Sequence, residues 1–208
     1  MKYNGNEYNR LCFLDTETTD VYWSTCAPIQ LAAMITDGEG NIIDTFNEKI
    51  RTTHYIKPSA SEVHGIYAED LVNCRNEIEV LTDFCAWIKA NETDVIITYN
   101  GEAFDRPMLN ARCIKLGIPF KDFDKNVFPG IDARAIVMEA KKRNLFNLKD
   151  LGRKWQLGLV AAQLGLSTEN AHDALADVEM LKGIFFKLAP LINGSADEAV
   201  ATATASLI

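Results

Sequence analysis

The chain has 208 residues, 48% of them apolar, and a formal net charge of −8. That length suits one well-buried domain and falls short of two, and the acidic balance argues against broad, charge-driven binding to a nucleic-acid duplex. No apolar run approaches a membrane span, and the opening MKYNGNEYNR lacks the apolar middle of a signal peptide, so a cytoplasmic chain with no membrane contact is the expectation.

Residues 11–15, LCFLD, form an apolar run ending in an acid and predict a buried strand. Residues 29–36 form a second apolar stretch, DGEGN at 37–41 is a turn signal, and a third strand resumes over 42–50. The short links favour an antiparallel meander. From Ser59, SASEVHG predicts a capped helical turn closed by Gly65. Over 77–90, Ile78, Leu81, Phe84, Cys85 and Ile88 recur at helical spacing.

Residues 94–99 predict a short β-branched strand, followed by the turn pair Asn100-Gly101 and a helix over 102–116 stopped by Gly117. A fifth strand is expected over 128–132, then helices over 133–141 and 145–155. A final helix is capped by Asp173 and reaches about Leu188, before Pro190. Residues 1–192 thus read as one α/β domain with a mixed sheet, and 193–208, rich in small residues, as a loose tail. The five cysteines (Cys12, Cys26, Cys74, Cys85 and Cys113) are odd in number, widely spaced and without a C-x-x-C pair. They read as small buried hydrophobes rather than disulfide or zinc partners.

Three short segments carry chemistry. Asp15 and Glu17, two apart at a strand end, point to one side, where paired carboxylates repel unless a hard cation lies between them. Asp105 falls where a helix begins beyond a strand end, the usual place for ligand sites in α/β sheets. His172, just outside the last helix, and Asp177, inside it, suit a general base beside a metal-facing acid, with Asp173 left to the cap. Each has an ordinary structural explanation alone; a bare D-x-E is common.

In combination they resemble the three motifs of the DnaQ-like (DEDDh) exonuclease family. FLDTETTD at 13–20 is similar to that family's D-x-E-T-T-G, YNGEAFD at 99–105 to H-N-x-x-F-D, and HDALAD at 172–177 to H-x-A-L-x-D. VHGI at 63–66 and Asp132 at the fifth strand match two further family features, and the likeness spans residues 10–190.

The resemblance implies a ribonuclease H-like fold, a mixed five-stranded sheet of order 3-2-1-4-5 flanked by helices. It implies two Mg2+ (or Mn2+) ions held by Asp15, Glu17, Asp105 and Asp177, with His172 as the base that activates water. The activity implied is 3′→5′ exonuclease, releasing nucleoside 5′-monophosphates from a single-stranded or frayed 3′ end, DNA being the preferred substrate and a DNA polymerase a candidate partner in proofreading or repair. Thr18, Thr19, His64, Asn100 and Phe104 are the expected substrate contacts. Phe104 and His64 also suit core or capping roles, and Asn100 a simple turn.

Two positions depart from the family pattern: Asp20 stands where a glycine is usual, adding charge beside the nucleotide, and Tyr99 replaces a histidine. Two basic clusters, Lys141-Lys142-Arg143 and Arg153-Lys154 with the adjacent Trp155, suit solvated faces or a strand guide, and Trp23 a stacking platform or a sheet cover. Glu102 and Asp132 are assigned no metal. Competing readings are an RNA-trimming member of the family and a non-catalytic nucleic-acid-binding module, the latter having no need of all five chemical groups. A Rossmann-type binder lacks its glycine fingerprint here.

Overall fold

The computed structural model describes residues 1–145 and 155–193. A small hairpin, β1 (Lys2–Tyr3) and β2 (Asn6–Glu7), precedes the antiparallel meander of β3 (Leu11–Thr18), β4 (Pro28–Thr36) and β5 (Ile42–Arg51). There follow α1 (Pro58–His64), a 3-10 turn (Ala68–Leu71), β6 (Arg75–Asn76), α2 (Glu77–Ala90), β7 (Val95–Thr98) and α3 (Asp105–Leu116). The described chain ends with β8 (Gly130–Asp132), α4 (Ala133–Lys142), α5 (Leu157–Gln163) and α6 (Ala174–Asn193).

The main sheet has the order β6-β5-β4-β3-β7-β8, with β7 parallel to β3 and β8 parallel to β7. The five strands expected from the sequence keep the 3-2-1-4-5 order. The sixth, β6, adds two residues parallel to the end of β5 and is too short to show any alternation in the sequence. The sheet is covered on both faces, as its apolar strands require. On one face Leu11, Phe13, Ala32 and Met34 pack with Val137, Val178, Leu181 and Phe185 from α4 and α6. On the other, Cys12, Leu14, Leu31 and Ile35 pack with Leu81, Phe84, Met108 and Leu109 from α2 and α3.

Several boundaries differ from expectation. α3 starts three residues late, because residues 101–104 form a turn and Phe104 caps the helix with non-helical backbone. α6 does not stop before Pro190 but runs through it to Asn193. An internal proline costs about 3 kcal/mol; burial of Leu188, Ala189, Leu191 and Ile192 around it, at roughly 1.5–3 kcal/mol per large apolar side chain, outweighs that. Asn193, expected to open the tail, closes the helix and donates to the Lys2 carbonyl. Ile78 is exposed, and α2 buries Val80 instead, with Leu81, Phe84, Cys85 and Ile88. Of the helix expected over 145–155, residues 146–154 lie outside the described residues, as do Arg153, Lys154 and the tail from 194. Cys12, Cys26, Cys85 and Cys113 are buried, with the Cys85 and Cys113 sulfurs 3.9 Å apart. Among the described residues no helix is long and apolar enough to cross a membrane.

Candidate active site

Strand alternation builds the site. The residues of β3 that face α6 are Leu11, Phe13, Asp15 and Glu17, so the apolar row that packs the helix turns into a row of acids as the strand leaves the core. Asp177, in the first turn of α6, meets them there, and Asp15, Glu17 and Asp177 each offer a carboxylate oxygen within 4.8 Å of the others. Thr16 points to the opposite face, toward α3. Its hydroxyl donates to Asp105 Oδ1 at 2.5 Å, so Asp105 enters from the other side of the strand and stands outside the three-carboxylate cluster.

The turn before α3 makes that approach feasible. Asn100 takes a left-handed backbone (φ 64°), which asparagine tolerates. A Cβ on Gly101 would lie 2.5 Å from Asp105 Oδ2 and 2.6 Å from Thr98 Cβ, so only glycine fits.

These acids are held in an environment hostile to their charge. Desolvation first, then Asp105, Asp177 and Glu17, drives the Asp15 carboxyl well above its usual range. Burial, followed by repulsion from Asp177 and Asp105, pushes Glu17 up to about 8. Burial lifts Asp105 to about 6 against the lowering effect of the Thr16 hydrogen bond, and lifts Asp177 against that of the His172 backbone N–H. Among the described residues no lysine or arginine pairs with any of the four. Oxygen-only donors, crowded and uncompensated, match a hard divalent cation.

His172 is exposed and left-handed (φ 73°), a conformation histidine adopts only when its surroundings hold it there. Its backbone N–H donates to Asp177 Oδ1 at 3.1 Å. The next residue, Asp173, caps α6 as expected, accepting from Leu175 N and Ala176 N. The other Asp173 oxygen accepts from Gln30 Nε2 at 3.0 Å, and Gln30 also donates to Asn47 Oδ1. Gln30 is 2% exposed and sits opposite Glu17 in the β3–β4 register. The start of α6 is therefore tied to the same point of the sheet as the acids.

Two clefts flank the acids. The smaller, about 390 Å³, is lined by Glu17, Thr18, Asp20, Val21, His64 and Phe104, among others. Phe104 packs at the edge of the core and also lines this cleft. His64 Nδ1 accepts from Ile66 N, while Nε2 is buried without a hydrogen-bond partner. Burial lowers its pKa against the raising effect of the Thr18 backbone, and the nearby His172 lowers it further. Thr19 is not part of the lining; it is 2% exposed, and its hydroxyl accepts from Ala27 N. Asp20 does not stand as a free charge: Lys57 Nζ lies 2.6 Å from its carboxylate and holds its pKa below the usual range.

The larger cleft, about 760 Å³, lies on the other side and is lined by Tyr99, Asn100, Arg134, Trp155, His172 and Asp177, among others. Asn100 is engaged twice, its N–H donating to Asp132 Oδ1 and its Oδ1 accepting from Arg134. Asp132 also caps α4 through Arg134 N, and Tyr99 donates its hydroxyl to the Trp155 carbonyl. Glu102 pairs with buried Arg106, away from the acids. Trp23 remains 43% exposed.

Four positions here had no role in the sequence reading: Thr16, Gln30, Lys57 and Arg134. Gln30 had a visible signal, as the one amide in the apolar run PIQLAAMIT. The others depend on which strands and helices meet.

The sequence profile of the exonuclease family RNase_T matches residues 12–185. The chain is 28% identical over 188 residues to DNA polymerase III subunit epsilon of Treponema pallidum, covering 86% of this chain and 76% of that one. It is 28% identical over 181 residues to the PolC-type DNA polymerase III of Thermotoga maritima, of which it spans only 12% while 86% of this chain is covered. Among solved structures, E. coli exonuclease I in complex with a dA16 oligonucleotide superposes with a TM-score of 0.73 at 21% identity, over 88% of this chain and 42% of that one. The exonuclease I of Methylocaldum szegediense superposes at 0.76 and 19% identity, over 88% and 41%. These likenesses fix the fold as ribonuclease H-like, and with the profile covering most of its length, the chain belongs to the exonuclease family.

Proposed function

We propose that this chain is a 3′→5′ exonuclease that hydrolyses the terminal phosphodiester of a DNA strand and releases a nucleoside 5′-monophosphate. The observation that carries the reading is the convergence of Asp15, Glu17 and Asp177 within 4.8 Å at a sheet end, with Asp105 beside them and a cleft on either side. These carboxylates would hold Mg2+ or Mn2+, two ions in all, with Asp105 completing the set. Bound there, such cations supply Lewis-acid stabilisation of the charge that develops on a phosphodiester and acidify water.

The chain's own residues do the rest. His172, exposed beside Asp177, accepts the proton of the attacking water through its imidazole. Thr18, His64 and Phe104 line the pocket for the terminal nucleotide. Thr19 supports the loop from behind. The likeness to a polymerase III epsilon subunit over most of both chains favours work beside a DNA polymerase.

The test is a 5′-labelled single-stranded oligonucleotide, DNA and RNA in parallel, incubated with Mg2+. Stepwise shortening from the 3′ end, stopped by chelator, is the expected result. His172→Ala should lower the rate by about 10²–10⁴-fold while metal binding is retained. Labels left at full length on both substrates by the wild type would end the enzyme reading.

A further inference from the structure

The acidic cluster stands between the two clefts, since Glu17 lines one and both Asp177 and His172 line the other. A phosphodiester seated on the acids must send the groups on its two sides in opposite directions. The 390 Å³ cleft is bounded by α1 and by the Asp20–Lys57 ion pair, which suits a terminal group with nothing beyond it. The 760 Å³ cleft has about twice the room, which suits a continuing chain.

We propose that the larger cleft holds the strand on the 5′ side of the scissile phosphate, with Arg134 as the contact to the phosphate of the penultimate nucleotide. The inference rests on the exonuclease reading and adds a substrate residue outside its motifs. Arg134 is the one guanidinium or ammonium among the described residues lining this cleft, in a chain of net charge −8. It is half-buried and pre-positioned: its backbone N–H is fixed by Asp132 in the first turn of α4, and Nη1 donates to Asn100 Oδ1 at 2.8 Å. That uses one of the five N–H donors of a guanidinium, leaving a fork of the kind that matches phosphate oxygens.

Two aromatic walls make the remainder of the cleft suited to bases. The Tyr99 hydroxyl pins the Trp155 carbonyl at 2.9 Å, and the Lys141 ammonium lies 4.6 Å from the Trp155 ring centroid. Apolar Leu157 and Leu159 extend the surface. Aromatic faces accept any base without reading its edge, so this subsite is expected to tolerate sequence.

The experiment compares Arg134→Gln and Arg134→Lys with wild type, all in the full chain, on two substrates. One is a short single-stranded oligonucleotide. The other is the 4-nitrophenyl ester of thymidine 5′-monophosphate, in which nitrophenol replaces the penultimate nucleoside and no upstream phosphate exists. Arg134→Gln should raise KM for the oligonucleotide by roughly tenfold or more, a loss far larger than on the ester, and lower the salt dependence of oligonucleotide binding by about one unit of log–log slope. Arg134→Lys should recover part of the loss. Equal losses on both substrates, or an unchanged salt slope, would overturn the subsite.

If wild type cleaves neither substrate, the exonuclease reading fails by itself, and the cleft is judged by fluorescence anisotropy of a labelled oligonucleotide in Ca2+. Binding weakened by Arg134→Gln upholds it. Equal binding by the two proteins, or none by wild type, overturns it.

Discussion

The two halves of β3 share one backbone and one face toward α6, yet the first is sealed in the core while the second, half-buried, uses its enclosure in the opposite way. Phe13 is fully enclosed, its ring 5.5 Å from that of Phe185, and contributes to holding helix and sheet together. Two residues on, Asp15 occupies the same row and is destabilised by its surroundings, its charge unrelieved by any ion pair among the described residues. Folding energy gathered by the first half keeps in place carboxylates that would otherwise separate. A site of this kind is a local loss maintained by a core next to it.

Substitutions at the two positions should therefore diverge. Asp15→Asn is expected to abolish metal-dependent hydrolysis while raising the melting temperature of the metal-free protein near pH 8, because one member of a repelling set is gone; a lowered melting temperature would contradict this account of the cluster. Phe13→Ala should cost about 3–5 kcal/mol of stability by denaturant unfolding. Whatever activity the folded fraction keeps should retain its metal requirement.

The pH dependence sharpens the same contrast. Glu17 and Asp105 have folded-state values of about 8 and about 6, above the usual range near 4, so the native state binds their protons more tightly than the unfolded chain does. Their contribution is present at low pH and is lost as pH rises through those values. Metal-free protein should melt at progressively lower temperature from about pH 5 to about pH 8. Added Mg2+ or Mn2+ should restore stability, and do so more at the upper end. A flat profile by scanning fluorimetry, or a metal effect larger at pH 5, would refute the assignment. The smallest effect concerns the cap: Asp173→Ala should cost about 1 kcal/mol.

The sequence made the long strands and the three motif segments legible, because alternation and helical spacing are local signals. The strand order was implied only by the family resemblance that those motifs carry. Pairing across the sheet is not local, and so Gln30 meeting Asp173, or Thr16 meeting Asp105 from the far face of β3, could not be read in advance. The same limit applies to Asp20. As a string it is an added negative charge beside a nucleotide pocket; in three dimensions it is half of an ion pair with Lys57, whose ammonium also lies over the Tyr22 ring. α6 shows the converse case, where a strong local stop signal at Pro190 yields to the packing of its neighbours.

The hydrogen bond from the His172 backbone to Asp177 Oδ1 has a consequence for how this site would tolerate change. One carboxylate both belongs to the acidic cluster and sets the backbone conformation of the proposed proton acceptor. Most replacements of Asp177 would disturb both at once, freeing the His172 backbone N–H and removing a carboxylate from the cluster. Only the isosteric amide of Asp177→Asn would keep an oxygen that accepts the His172 N–H while giving up the charge, so it is the one change that parts the two roles.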